Sequence, residues 1–247
     1  MTDDSTHFGF RSVSSRKKNE LVNAVFKSVS GKYDVMNDVM SVGLHRLWKR
    51  FAIDLLAPRA GEHILDLAGG TGDLTRLIVN RVDGDGHFIL ADINSEMLSR
   101  GREQLLDRGI AQAQFVRANA ESLPFAKSSL DAVIIGFGLR NVSDKARALR
   151  SMFGVLKPGG RALILEFSRL RMPQLQGFYD TYSFKFIPAV GKLIANDRDS
   201  YEYLVESIRM HPDQEALKAL MIDAGFERVD YHNLAAGVVA IHKGYRL

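Results

Sequence analysis

The sequence predicts an α/β fold built on a mostly parallel sheet with helices on both faces. Three observations predict it. From residue 63 onward, short β-type runs alternate with stretches of helical spacing. Strands buried on both faces and separated by helices imply a parallel sheet. The first run also ends in a glycine cluster that opens a helix, "LDLAGGTGDL" at 65–74. A strand–loop–helix unit of that kind holds a nucleotide-type group.

The bulk numbers set bounds. A chain of 247 residues is one domain with an extension, or at most two small domains. Hydrophobic residues make up 46% and charged residues 25%, enough to bury a core. The net charge of +4 is too mild for a dedicated nucleic-acid binder. The absence of cysteine removes disulfides, cysteine zinc sites and thiol nucleophiles together. No cluster of ligating residues requires a metal. The N-terminal "MTDDSTHFGFRSVSSRKKNE" lacks the apolar core of a secretory signal. No run reaches the roughly 18 apolar residues of a membrane-spanning helix. The expected location is cytoplasmic, peripheral on the inner face of the membrane.

The elements follow in order. Residues 1–15 are polar and expected to be loose. Leu21, Val22, Val25, Phe26 and Val29 have helical spacing, as do Leu44, Leu47, Trp48, Phe51 and Leu55. Pro58 and Gly61 end the second helix. Strands are expected at "HILDL", "GHFILAD", "AQFVRAN", "LDAVIIGFG" and "RALILEFS", with helices at "TGDLTRLIVNRV", "SEMLSRGREQLLDRG" and "SDKARALRSMFGVL". A largely helical insertion over 170–210 interrupts the alternation. A helix then starts at Pro212 and stops at Gly225. "ERVDYHNL" and "GVVAIHKGY" follow with a turn too short for a parallel crossover, so they form an antiparallel pair.

The glycine loop runs "DLAGGTGD" from Asp66 to Asp73. Gly69, Gly70 and Gly72 let backbone approach a ligand closely. The next strand ends in Asp92, placed to accept hydrogen bonds from ribose hydroxyls. No Gly-Lys-Ser/Thr follows, which excludes a phosphate-cradling loop. The dinucleotide fingerprint fits poorly, because its third glycine falls on Thr75. An acid inside the first strand, Asp66, suits a cofactor with a cationic amino-acid end.

Asp66-x-x-Gly-Gly-x-Gly72 resembles motif I of the class I S-adenosylmethionine-dependent methyltransferases, with Ala68 where their pattern has glycine. The resemblance implies a Rossmann-like class I methyltransferase fold: a seven-stranded, mostly parallel sheet with an antiparallel last strand and N-terminal helices over the pocket. It implies S-adenosyl-L-methionine as cofactor, held by Asp66, Gly69, Gly70, Thr71, Gly72, Asp92, Asn119 and Ala120. A purely structural reading makes Asn119 a turn residue. Residues 1–60 form the expected N-terminal helical lid region and 61–247 the core.

Two longer stretches, "YDVMNDVMSVGLHRLW" (33–48) and "VLKPGGRALILEFS" (155–168), are similar to the signatures of the ubiquinone/menaquinone biosynthesis C-methyltransferases. "FGLRNVSDK", "NDRDSYEYLVESIRMHPDQ" and "GFERVDYHNLAAGVVAIHKGY" extend the likeness from about residue 7 to the end. It implies methylation of a ring carbon of demethylmenaquinol or of 2-polyprenyl-6-methoxy-1,4-benzoquinol. The implied partners are the polyprenylated quinol, a quinone-biosynthesis complex and a second copy of the chain, with no nucleic acid.

Arg140 and Asn141 follow the fourth strand, where a phenolate is stabilised and a hydroxyl oriented. They are the expected catalytic pair. The structural alternative makes Arg140 an ion-pair partner and Asn141 a helix cap. Tyr33 and Asn37 are the expected substrate-binding lid. Met36, Met40 and Trp48 are read as helix packing, and His45 and His211 as structural. The aromatic stretch 178–195, with Lys185 and Lys192, covers the prenyl tail, rests on the bilayer or packs in the core. The competing functions are methylation of another lipid-like molecule and a non-catalytic cofactor-binding subunit.

Overall fold

The structure is a computed structural model that describes residues 5–29, 38, 41–186 and 198–247. The chain opens with a hairpin, β1 (Ser5–Phe8) and β2 (Arg11–Ser14), leading into helix α1 (Ser15–Val29). This corrects the expectation of a loose start. Thr6 and Phe8 alternate inward and are buried. Phe8 stacks on Tyr203 with ring centroids 4.0 Å apart. Its partner lies so far along the chain that the polar segment carried no local sign of the contact.

Helix α2 (His45–Leu56) ends at Ala57 in the left-handed conformation, before the proline. Next come β3 (His63–Leu67), α3 (Asp73–Arg81), β4 (His87–Asp92), α4 (Ser95–Asp107), β5 (Gln114–Arg117) and β6 (Leu130–Gly136). They are followed by α5 (Lys145–Val155), β7 (Leu156–Phe167), α6 (Gln176–Thr181), α7 (Arg198–Met210), α8 (Gln214–Asp223), β8 (Glu227–Leu234) and β9 (Val239–Tyr245). Strand β7 starts five residues earlier than expected, and a register shift between Leu130 and Ala132 takes up the "KPGG" segment.

The main sheet has seven strands in the order β5-β4-β3-β6-β7-β9-β8. The pairings from β5 across to β7 are parallel, while β9 runs antiparallel to both β7 and β8. The order reverses at β3, between β4 and β6, where an open α/β sheet leaves a crevice at its carboxyl edge.

Alternate strand residues feed two cores. On one face Ile64, Ile134 and Leu165 pack against α2, α3 and α7 through Trp48, Ile53, Ile78, Tyr201 and Leu204. On the other, Leu65, Val133 and Ile164 pack against α5 and α8 through Leu149, Met152, Leu217 and Met221. Helix α2 is therefore a wall of the core, and among the described residues of the expected N-terminal lid it is α1 that reaches the crevice. Among the described residues, no helix is long and apolar enough to cross a membrane.

Candidate functional site

A cleft of ≈ 790 Å³ opens at the carboxyl edge of β3, β4, β5 and β6. Strand ends supply Leu67, Ala68, Asp92, Ala118 and Phe137, loops supply Gly70, Asn119, Ala120 and Asn141, and α1 closes one side with Asn19, Val22, Asn23 and Phe26.

Gly70 is the loop residue that borders it, at φ +51°. That conformation turns its N–H onto Asp92 Oδ2 at 3.0 Å. Asp92 Oδ1 accepts from the Asn94 N–H at 2.8 Å, and Asn94 caps α4 by accepting from Glu96 and Met97. Burial raises the Asp92 carboxyl above its ordinary range, and the backbone donors oppose that shift.

Asp66 sits behind the loop, off the cleft wall. Its Oδ2 accepts from the Thr75 N–H at 2.9 Å and the Thr75 hydroxyl at 2.7 Å, tying β3 to the start of α3. Burial pushes this carboxyl up to about 7, and its Oδ1 is buried without a partner among the described residues. Gly69 is confined by the same carboxylate: a Cβ there would lie 2.9 Å from Asp66 Oδ2. Thr71 is buried and Gly72 packs on Leu90 and Leu105, so neither borders the cleft. The expected loop set thus divides into Gly70, which borders the cleft, and a supporting group that shapes the loop behind it.

Asn119 borders the cleft and also shapes its turn, its Oδ1 accepting from the Glu121 N–H at 3.0 Å. Ala120 lies beside it. Tyr33 and Asn37 lie outside the described residues, as do Met36, Met40 and Lys192. Trp48 is in the core, and His45 is buried with Nε2 3.0 Å from Asp38 Oδ1. His211 is buried and off the cleft.

The catalytic pair splits. Asn141 lines the cleft, and its Oδ1 accepts from the Tyr203 hydroxyl at 2.9 Å. The cap of α5 is Asp144 instead. Arg140 departs from the expected placement: its guanidinium is buried away from the cleft, where Nη1 donates to Glu166 Oε1 at 3.0 Å and to the Phe137 carbonyl. A buried cation needs a counter-charge, and Glu166, itself 1% exposed, supplies it. The ion-pair alternative is the arrangement found.

Behind the Arg140–Ser143 segment lies a second, polar cavity bordered by Lys18, Arg140, Ser143, Lys145 and Tyr203. Lys18 and Lys145 both donate to the Val142 carbonyl, at 3.0 and 3.2 Å, and Val142 itself lines the cleft. Burial, helped by its neighbour Lys145, brings the Lys18 ammonium down to about 7. Lys18 and Tyr203 escaped sequence reasoning because each reaches the site from a distant element.

The donor set fits the cofactor the resemblance implies. A carboxylate at the end of β4 suits ribose hydroxyls. Ile93, Met97, Ala118 and Ala120 offer apolar surface to a base. A cation at the loop would lower the cost of ionising Asp66. No group of metal-ligating residues occurs among the described residues.

Solved structures with this fold include an S-adenosylmethionine-dependent methyltransferase from Aquifex aeolicus, at TM-score 0.59 and 14% identity, covering 81% of this chain and 89% of that one. They also include the [4+2]-cyclase SpnF, at TM-score 0.59 and 19% identity over 78% and 61%. A cyclase on this frame means that the fold does not by itself fix the reaction. Sequence comparison is sharper. The chain is 60% identical over 245 residues to the ubiquinone/menaquinone biosynthesis C-methyltransferase UbiE of Ectopseudomonas mendocina, covering 99% of this chain and 96% of that one. It is 57% identical over 247 residues to the protein of the same name from Methylococcus capsulatus, covering all of both. The model of the ubiE/COQ5 methyltransferase family matches residues 13–246, from the second strand of the hairpin to the last strand, and the chain belongs to that family.

Proposed function

We propose that the protein moves a methyl group from S-adenosyl-L-methionine to a ring carbon of demethylmenaquinol, of 2-polyprenyl-6-methoxy-1,4-benzoquinol, or of both. One observation carries the reading: a single cleft joins a nucleoside-binding end, Gly70 and Asp92, to a polar end at Asn141 and Val142, next to paired lysines. The relatives' printed activity supports the choice of acceptor.

When bound, the cofactor supplies an electrophilic methyl on a sulfonium. The chain's residues do the rest. Asp92 would accept from the ribose hydroxyls, and Asn119 with Ala120 would border the adenine. Asn141, held by Tyr203, orients a ring hydroxyl. Lys145, joined by Lys18 in its protonated form, sets a positive potential behind Val142 that favours the phenolate form of the quinol, which makes the adjacent ring carbon nucleophilic. Arg140 positions this segment through Glu166. Phe26 and Val22 of α1 exclude water. The prenyl tail of the acceptor brings the protein to the membrane surface as a peripheral protein.

Incubation with labelled S-adenosylmethionine and chemically reduced demethylated quinols, with the product read by mass, tests this directly. One added methyl on the ring is the expected result. Absence of transfer to every quinol overturns the proposal.

A further inference from the structure

Helix α2 is apolar on two faces. One face buries Trp48, Ala52, Ile53 and Leu56 in the core. The other leaves Leu44, Leu47 and Phe51, spaced at i, i+3 and i+7, 42%, 57% and 38% exposed, and Val42 just before the helix is 77% exposed. Phe51 meets His232 edge-on, with ring centroids 6.1 Å apart, but packing among the described residues does not account for Val42, Leu44 and Leu47. Beside it Arg46 and Arg50, one turn apart, border a cavity of ≈ 660 Å³ that Lys49, Arg76 and Arg108 complete.

The walls of that cavity are strongly cationic. Among the described residues Asp73 is its one acidic wall residue, shared by Lys49 at 2.8 Å and Arg76 at 3.9 Å. Arg46 pairs with Asp38 at 2.8 Å. Among the described residues no carboxylate pairs with Arg50 or Arg108, and Arg76 Nε is buried without an acceptor. Five cations thus face two acids. An apolar stripe flanked by arginines on one helix is the pattern of an element lying in a bilayer interface, apolar side chains among the acyl chains and cations on the phosphates.

The geometry points to the outer face of α2 as a docking surface for an anionic phospholipid bilayer, with a lipid phosphate held in the Arg46–Arg50–Arg76–Arg108 cavity. Its position is apt. Lys49 ties α2 to Asp73, the first residue of the helix that follows the cofactor loop, so docking sets the cleft close to the membrane. The purpose of the surface rests on the reading of a prenylated quinol as acceptor. The binding itself does not.

The test is flotation of the full chain with vesicles of phosphatidylcholine and phosphatidylglycerol in equal parts, beside vesicles of phosphatidylcholine alone. The expected result is salt-sensitive binding to the anionic vesicles only. The pair of substitutions Leu47→Ser and Arg50→Glu is expected to weaken that binding at least about tenfold, with methyl transfer to a short-chain, water-soluble quinol unchanged. Wild-type-like binding by this variant overturns the inference, as does no binding by the wild type. Thermal stabilisation by inorganic phosphate without vesicle binding overturns it too, and marks a free-anion site. If vesicle binding behaves as expected but the short-chain quinol is not methylated by the wild type, the docking surface stands and the acceptor assignment falls.

Discussion

Asn141 owes its orientation to a hydroxyl 62 residues further along the chain. Burial holds the Tyr203 phenol well above its ordinary range, so it stays protonated and donates to Asn141 Oδ1. Replacing Tyr203 with Phe removes that one donor and keeps the ring stacked on Phe8. The expected outcome is a fall of about tenfold in kcat/KM for the quinol, with S-adenosylmethionine affinity unchanged and about 1 kcal/mol of stability lost. Steady-state kinetics, calorimetric cofactor binding and urea unfolding read the three quantities, and an unchanged kcat/KM removes Asn141 from the mechanism. Ala68 shows a different kind of dependence. It sits at φ +52°, where the motif elsewhere has glycine, and an L-residue pays about 1 kcal/mol there. Gly138 makes room for its methyl, since a Cβ at 138 would lie 2.7 Å from that of Ala68.

Among the elements, α4 comes closest to the cofactor loop at Gly101. A Cβ on Gly101 would lie 2.4 Å from the Gly70 carbonyl oxygen, so the helix approaches the loop only because residue 101 has no side chain. Gly101→Ala is expected to push the loop outward, cost about 1–3 kcal/mol and weaken S-adenosylmethionine binding about tenfold. Gly154 in α5 is the control. Nothing lies within 4 Å of a Cβ there, so Gly154→Ala gains helix propensity, up to about 1 kcal/mol, and leaves cofactor binding alone. Denaturant unfolding and calorimetry on the two variants check the contrast. Equal effects would show that the contact with Gly70 is unimportant. The sequence cannot separate these two glycines, because both interrupt a helical pattern and only the facing backbone tells them apart.

At the scale of the whole molecule, one buried carboxyl links stability to pH. Asp66 titrates near 3.8 in the unfolded chain and about 7 in the fold. The folded state binds more protons between those values, so this contribution is full below about 4 and is lost as pH rises through 7. Asp66→Asn keeps an acceptor for Thr75 and removes the titration. Urea unfolding at about pH 5 and about pH 7.5 is expected to show the wild type losing stability relative to the variant as pH rises. A constant difference between the two proteins would rule this out. Much of the whole was legible beforehand. The seven strands, their alternation with helices and the antiparallel final pair follow from apolar runs and short turns. The first hairpin was not legible, because Phe8 finds its partner on α7, and the cap of α5 is Asp144 rather than Asn141.

By itself the sequence determined the strand and helix order, the glycine loop with Asp92 beyond it, and the family, because these are written in local period, turn chemistry and contiguous motifs. Only the tertiary structure decided which residues of those motifs face the cleft. Asp66, Gly69, Thr71 and Gly72 turn inward to build the loop, and Gly70, Asp92, Asn119 and Asn141 border the cleft. It also decided that Arg140 is spent on Glu166, and that Lys18 and Tyr203 join the site. The physical reason is burial. A charge or hydroxyl taken from water must find its partner wherever the fold brings one, and that partner is set by packing across the sheet rather than by neighbours in the chain.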